Sequence, residues 1–133
     1  MKRQMLLLAA LLMVGLGAWA QKAEQKFNPK KFQVFAVGFY NQENLFDTCH
    51  DAGKNDYEYL PAKGWDSEKY TSKLKNMSRT LADMGTDVLP DAGCAFIGLA
   101  EVENANVLRD LVAQPPLKAR NMQFCHIEGP DKR

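Results

Sequence analysis

Asn41 and Glu101 are the side chains of this sequence best placed to do chemistry. Asn41 lies in Phe39-Tyr40-Asn41-Gln42-Glu43-Asn44-Leu45-Phe46-Asp47, and Glu101 in Ile97-Gly98-Leu99-Ala100-Glu101-Val102-Glu103-Asn104. Each follows an apolar run that stops abruptly at a polar, oxygen-bearing side chain. Such a run reads as a buried strand. Its exit residue then stands at the rim of a sheet, where open α/β sheets bind their ligands. The two residues are remote in the chain but are expected to meet at one rim. An amide oxygen beside a carboxylate suits a hard cation such as Mg²⁺. Each residue also has a plainer reading. Glu101 is a metal ligand, a base or a solvated loop acid, and Asn41 is a site residue or an Asx-turn residue leaving its strand.

The neighbouring polar residues read as supports. Asn44 and Asp47 are suited to fixing the loop through side-chain to backbone bonds. Glu103 reads as a helix-start acid favoured by the dipole. Leu45 and Phe46 are expected to pin the loop to the core. His50 and His126 are the only histidines. His126 sits in an apolar run and reads as structural. His50 lies in Cys49-His50-Asp51, with no acid–base partner recognisable in the sequence.

The elements that must position these residues can be read from periodicity. Residues 32–40 are rich in aromatic and β-branched types and read as a first strand, apolar enough to be covered on both faces. Residues 47–64 form a long polar loop of the kind that binds something or covers a site. Asp66 or Ser67 is a helix N-cap, and Tyr70, Leu74, Met77, Leu81 and Met84 form one apolar stripe, with Lys69, Lys73, Lys75 and Arg79 on other faces. Residues 94–100 read as a second strand. A second helix follows, capped by Asn104 or Asn106, with Val107, Leu108, Leu111 and Val112 as its core face, and ended by Pro115-Pro116. Residues 122–127 read as a third strand. The alternation of strand and helix argues for a layered α/β fold.

Composition narrows the setting. Lys2 and Arg3, the apolar run Met5–Leu16 and Ala18-Trp19-Ala20 have the pattern of a secretory signal peptide over residues 1–20. The run is too short for a stable membrane anchor. Residues 21–31 read as a flexible lead-in. Removing 1–20 takes away two of the 17 basic and none of the 16 acidic residues, leaving a net charge of −1. That balance does not build a basic nucleic-acid cradle. The three cysteines, Cys49, Cys94 and Cys125, leave at least one thiol unpaired. Cys94 and Cys125 read as small core residues.

The two stretches together resemble the endonuclease/exonuclease/phosphatase superfamily, whose fold is deoxyribonuclease I-like. They are most similar to its exported bacterial members, where a motif like F-Y-N-x-E-N-L-F-D precedes one like G-L-x-E-V-E-N. Trp65, Tyr70, Lys73-Leu74 and Asn76 also look like that pattern, as does the stretch from His126 to Arg133. The resemblance covers about residues 32–133. It implies an α/β layered sandwich of two sheets, of which this chain is expected to hold about the first half. Glu101 resembles the family's metal-binding Glu, taking Mg²⁺ or Mn²⁺, and Asn41 its strand-end Asn beside the metal and the scissile phosphate. The implied partner is a phosphodiester, nucleic acid among the candidates, in the periplasm or outside the cell.

The family's later motifs, resembling G-D-x-N and S-D-H, do not occur in this sequence. In the family the first supplies Asp and Asn around the phosphate, and the second the water-activating His with its orienting Asp. The expectation is therefore a truncated, inactive N-terminal portion of a metal-dependent phosphoesterase. The rivals are a non-catalytic remnant or binding module, and a phosphatase acting on small or lipid phosphates. Half a two-sheet sandwich would also expose an apolar sheet face, which favours aggregation or a partner.

Overall fold

The computed structural model describes residues 33–132. The proposed signal peptide (1–20) and lead-in (21–31) lie outside the described residues. The chain divides into Met1–Val34, of which only residues 33 and 34 are described, and Phe35–Arg133, which holds every strand and helix among the described residues. Among the described residues no helix is long and apolar enough to cross a membrane.

The second unit runs β1 (Ala36–Leu45), two short 3-10 turns (Tyr57–Tyr59 and Pro61–Lys63), α1 (Ser67–Asp83), β2 (Cys94–Val102), α2 (Ala105–Val112) and α3 (Pro115–Ala119). β1 and β2 pair in parallel, with α1 as the crossover between them. This is the α/β layering that the alternating pattern predicts. The pairing puts Val37 opposite Phe96, Phe39 opposite Gly98 and Asn41 opposite Ala100.

Local chemistry explains each helix. Asp66 caps α1 by accepting from Lys69 N at 2.9 Å. The helix buries Leu74, Ser78, Leu81 and Ala82, close to the stripe read from spacing. It stops before Gly85, whose φ of +76° an L side chain rarely adopts. The Asn104 carboxamide oxygen caps α2 by accepting from Asn106 N and Val107 N at 2.9 and 3.0 Å. Leu45, Leu74, Leu81, Ala82, Val107, Leu108, Leu111 and Leu117 form one core, which ties the end of β1 to all three helices.

Four expectations need correction. First, Pro115-Pro116 ends α2 but also starts α3, because a proline is tolerated in the first turn, where its missing N–H has no partner to lose. Second, residues 122–127 form no strand. An apolar run becomes a strand only where its backbone bonds a neighbouring edge, and this run lies across a cleft from β2 without pairing to it. Cys125 is consequently exposed, whereas Cys94 is buried as expected; all three thiols are free.

Third, among the described residues the sheet is covered on one face only. α1 and the core cover the inner face, while Val37, Phe39 and Phe96 remain 74%, 69% and 70% exposed. Fourth, β1 starts later than read and runs through the motif to Leu45. A two-sheet sandwich is not present among the described residues, which form one two-stranded sheet.

The bare face predicts behaviour in solution. Val37→Thr combined with Phe96→Thr puts β-branched, hydroxyl-bearing residues on the exposed face. It should change unfolding free energy by no more than about 0.5 kcal/mol, as for ordinary surface sites. It should also lower self-association measured by light scattering of the full chain. A large loss of stability would mean that the face is covered in solution.

Candidate functional site

The rim of the sheet is shaped by an irregularity in strand pairing. Asn41 pairs with Ala100, and pairing resumes at Leu45 with Val102. Between these points β1 carries Gln42, Glu43 and Asn44, while β2 carries only Glu101. The surplus is absorbed by left-handed backbone at Glu43 (φ 51°), Asn44 (φ 58°) and Glu101 (φ 58°). Bulges of this kind re-aim side chains next to functional sites.

Here the bulge brings two remote motifs together. Asn41 Nδ2 donates to Glu101 Oε1 at 2.9 Å, and the Asn44 backbone N–H donates to Glu101 Oε2 at 3.1 Å. Asn41 Oδ1 accepts from Glu43 N at 2.6 Å, an Asx turn. The plain reading of Asn41 and its pairing with Glu101 are thus satisfied by one side chain. Its nitrogen faces the carboxylate, and its oxygen faces the turn. Glu101 is exposed and stands, with Asn44, in the wall of a cleft of about 1050 Å³ bounded by β2 and residues 120–131.

The loop around this pair has a full account of its carbonyls. Those of Glu43 and Asn44 accept from Lys73 Nζ at 2.5 and 3.2 Å. That of Leu45 accepts from Glu103 N at 3.1 Å. Those of Phe46 and Asp47 both accept from Trp65 Nε1 at 3.0 Å. The Lys73 ammonium lies 5.6 Å from the Trp65 ring centroid, a cation–π distance. Burial pushes the Lys73 ammonium below its ordinary pKa, opposed by the charges of Glu43 and Glu101. Gln42 is fully buried beneath the motif, and neither polar atom of its amide has a hydrogen-bond partner among the described residues. Such a group costs about 1–3 kcal/mol.

Other predicted supports fall as follows. Leu45 is fully buried, and Phe46 is buried and stacks on Tyr59 at 4.0 Å, so both pin the loop. Asp47 turns its loop by accepting from Cys49 N at 2.6 Å. Asn44 acts through its backbone N–H rather than its side chain. Glu103 is not a helix-start acid. It precedes the cap Asn104 and accepts from Asp47 N at 2.8 Å, tethering the loop. Burial, reinforced by the nearby Asp47, Asp51 and Asp56 charges, pushes its carboxyl up to about 7, against the pull of the Asp47 N–H. His126 bonds Glu128 at 3.2 Å.

His50 has the carboxylate partner that its local sequence concealed. Its Nδ1 lies 2.5 Å from Asp56 Oδ1, and its ring stacks on Tyr57. Asp56 is buried and also accepts from Asp51 N at 2.7 Å, while Asn104 Nδ2 donates to Asp51 Oδ2 at 2.9 Å. The long loop is therefore fastened to the start of α2.

Trp65 and Lys73 were the supports that sequence left without a role. Their signal was present. Position 73 falls between Tyr70 and Met77 on the buried side of α1, not opposite it. Trp65 is a large ring just before the Asp66 cap, edge-on to Tyr59.

The donor set at the rim is one exposed carboxylate beside an amide. Among the described residues no group of three or more His, Cys, Asp or Glu side chains is placed to hold a metal. A small set still fits a hard divalent ion that keeps several of its waters. A parallel strand–helix–strand unit with such a rim is an α/β architecture shared by many chemistries and does not by itself fix one. The comparison that resolves the class is the family model described as endonuclease/exonuclease/phosphatase family, which matches residues 36–133. The chain belongs to that family. No curated protein and no solved structure matches it. Members of the family commonly use divalent metals.

The Asp56 anchor has a pH signature. Burial alone would push its carboxyl up, but the Asp51 N–H and the His50 ring hold it below its ordinary 3.8. A depressed pKa means that the stabilisation is present above about 3.8 and is lost as pH falls through the lower native value. Asp56→Asn should therefore cost about 1–3 kcal/mol at pH 7. Its urea midpoint should converge with that of the parent below pH 3.8, the ordinary value. An equal gap at both pH values would remove the carboxylate charge from this account.

Proposed function

We propose that this chain forms the metal- and phosphate-binding rim of a metal-dependent phosphoesterase acting on phosphodiesters, with Glu101 as the ligand of Mg²⁺ or Mn²⁺. The observation that carries the reading is the Asn41–Glu101 hydrogen bond of 2.9 Å across two motifs remote in sequence. A divalent ion at such a carboxylate supplies charge neutralisation on phosphoryl oxygens and an acidified water. The residues' own work is positional. Each oxygen of Glu101 takes one N–H bond and keeps lone-pair capacity for a cation. Asn41 holds that carboxylate with one Nδ2–H and keeps the second to donate to a phosphate oxygen at the rim.

Within residues 36–133 the proposed work of Glu101 and Asn41 is to bind the metal and the phosphate. A near-neutral charge favours a phosphodiester gripped locally over a long polyanion gripped along a basic face. The leader pattern of residues 1–20 supports export, so the substrate would be met in the periplasm or outside the cell.

The test is Mn²⁺ titration calorimetry on the full chain, alongside Glu101→Gln and Asn41→Ala. Glu101→Gln should weaken binding by far more than 10-fold, because it removes a direct ligand's charge. Asn41→Ala should weaken it by about 10-fold, the scale of a lost outer-shell partner. Equal Mn²⁺ affinity in the parent and Glu101→Gln would remove Glu101 from the site.

A further inference from the structure

We infer that Lys73 is a positioning residue for the Glu101 carboxylate, acting through the backbone of Glu43 and Asn44. The inference rests on the metal-site reading above. Asn44 can aim its N–H at Glu101 Oε2 only while Glu43 and Asn44 keep left-handed backbone, with φ of 51° and 58°. Left-handed conformations at non-glycine residues persist only when surrounding contacts over-determine them. Lys73 Nζ supplies those contacts by donating to both carbonyls of that turn at 2.5 and 3.2 Å.

The lysine is itself fixed from two sides. Its helix is capped by Asp66 and buried through Leu74, the next residue along. Its ammonium rests against Trp65, whose indole N–H holds the following carbonyls of Phe46 and Asp47. One helix and its lead-in thus hold the backbone that holds Glu101. An ammonium is well suited to this, since its three donors can serve two carbonyls together.

The geometry separates positioning from plain charge. A lysine that merely placed a positive charge near Glu101 would repel a divalent cation, so its removal would tighten metal binding. A lysine that positions the carboxylate loosens metal binding when removed. Lys73→Met keeps most of the stem over Trp65 and deletes the donors. The experiment compares Mn²⁺ binding to the metal-free full chain for the parent, Lys73→Met and Lys73→Arg, with amide exchange of Asn44 followed by NMR without metal.

Lys73→Met should weaken Mn²⁺ binding about 10-fold, the scale of an outer-shell loss, and speed exchange of the Asn44 amide. Lys73→Arg, which keeps donors for both carbonyls, should restore most of both. Tighter or unchanged Mn²⁺ binding in Lys73→Met, with the parent binding normally, overturns this inference alone. No Mn²⁺ binding by the parent overturns the metal reading and this inference with it. If neither Lys73→Met nor Lys73→Gln folds, Lys73 supports the fold rather than the site, and the inference fails.

Discussion

The rest of the rim depends on one arrangement: a carboxylate from β2 receiving two N–H donors from β1. Asn41 reaches Glu101 from its side chain and Asn44 from its backbone. Regular parallel pairing could not deliver both, because it would leave the Asn44 N–H within the ladder. The strand must take up extra residues, and the backbone must turn left-handed at Glu43, Asn44 and Glu101. Strained backbone of this kind costs on the order of 1–3 kcal/mol per residue. Hydrogen bonds to a charged group contribute about 1.5–3 kcal/mol each. The two scales are comparable, so the turn survives only with further support. Lys73, Trp65 and the Glu103 N–H supply it by taking every carbonyl from Glu43 to Asp47.

That support is anchored in the core. Leu45 ends β1 inside the cluster formed by α1, α2 and α3, so the motif is fastened at its far end by apolar burial. α1 serves twice. Its inner side packs against the sheet, and its first turns send Lys73 to the loop. The opposite face of the sheet does nothing comparable. Val37, Phe39 and Phe96 lie bare on it. Organisation in this unit is therefore concentrated on one side of the sheet and at one end of its strands, where the polar residues lie.

Much of this was legible in the sequence, for physical reasons that differ by element. α1 could be read because its apolar stripe, its Asp66 cap and its Gly85 stop all agree. β2 could be read because Cys94–Ala100 is a short apolar run between turns. The meeting of Asn41 and Glu101 could be read because parallel strands bring their exits to the same edge. What failed were features set by neighbours rather than by local pattern. Residues 122–127 have strand composition, but among the described residues they form no ladder with either open edge of the two-stranded sheet. The outward face of β1 reads as covered because its residues are apolar, yet apolar character states a preference and not an outcome. The left-handed turn carries no glycine to announce it, so the role of Lys73 stayed hidden. Glu103 looked like a dipole-favoured acid because the Asp47 N–H that it binds comes from the other motif.

The most direct measurement is paramagnetic broadening by Mn²⁺ in NMR spectra of the full chain at substoichiometric metal. The account predicts that the side-chain NH₂ of Asn41 and the backbone amide of Asn44 broaden first, and that Glu101→Gln abolishes the effect at both. Broadening that begins elsewhere, for instance around Asp51 and Asp56, while these two signals stay sharp would contradict it.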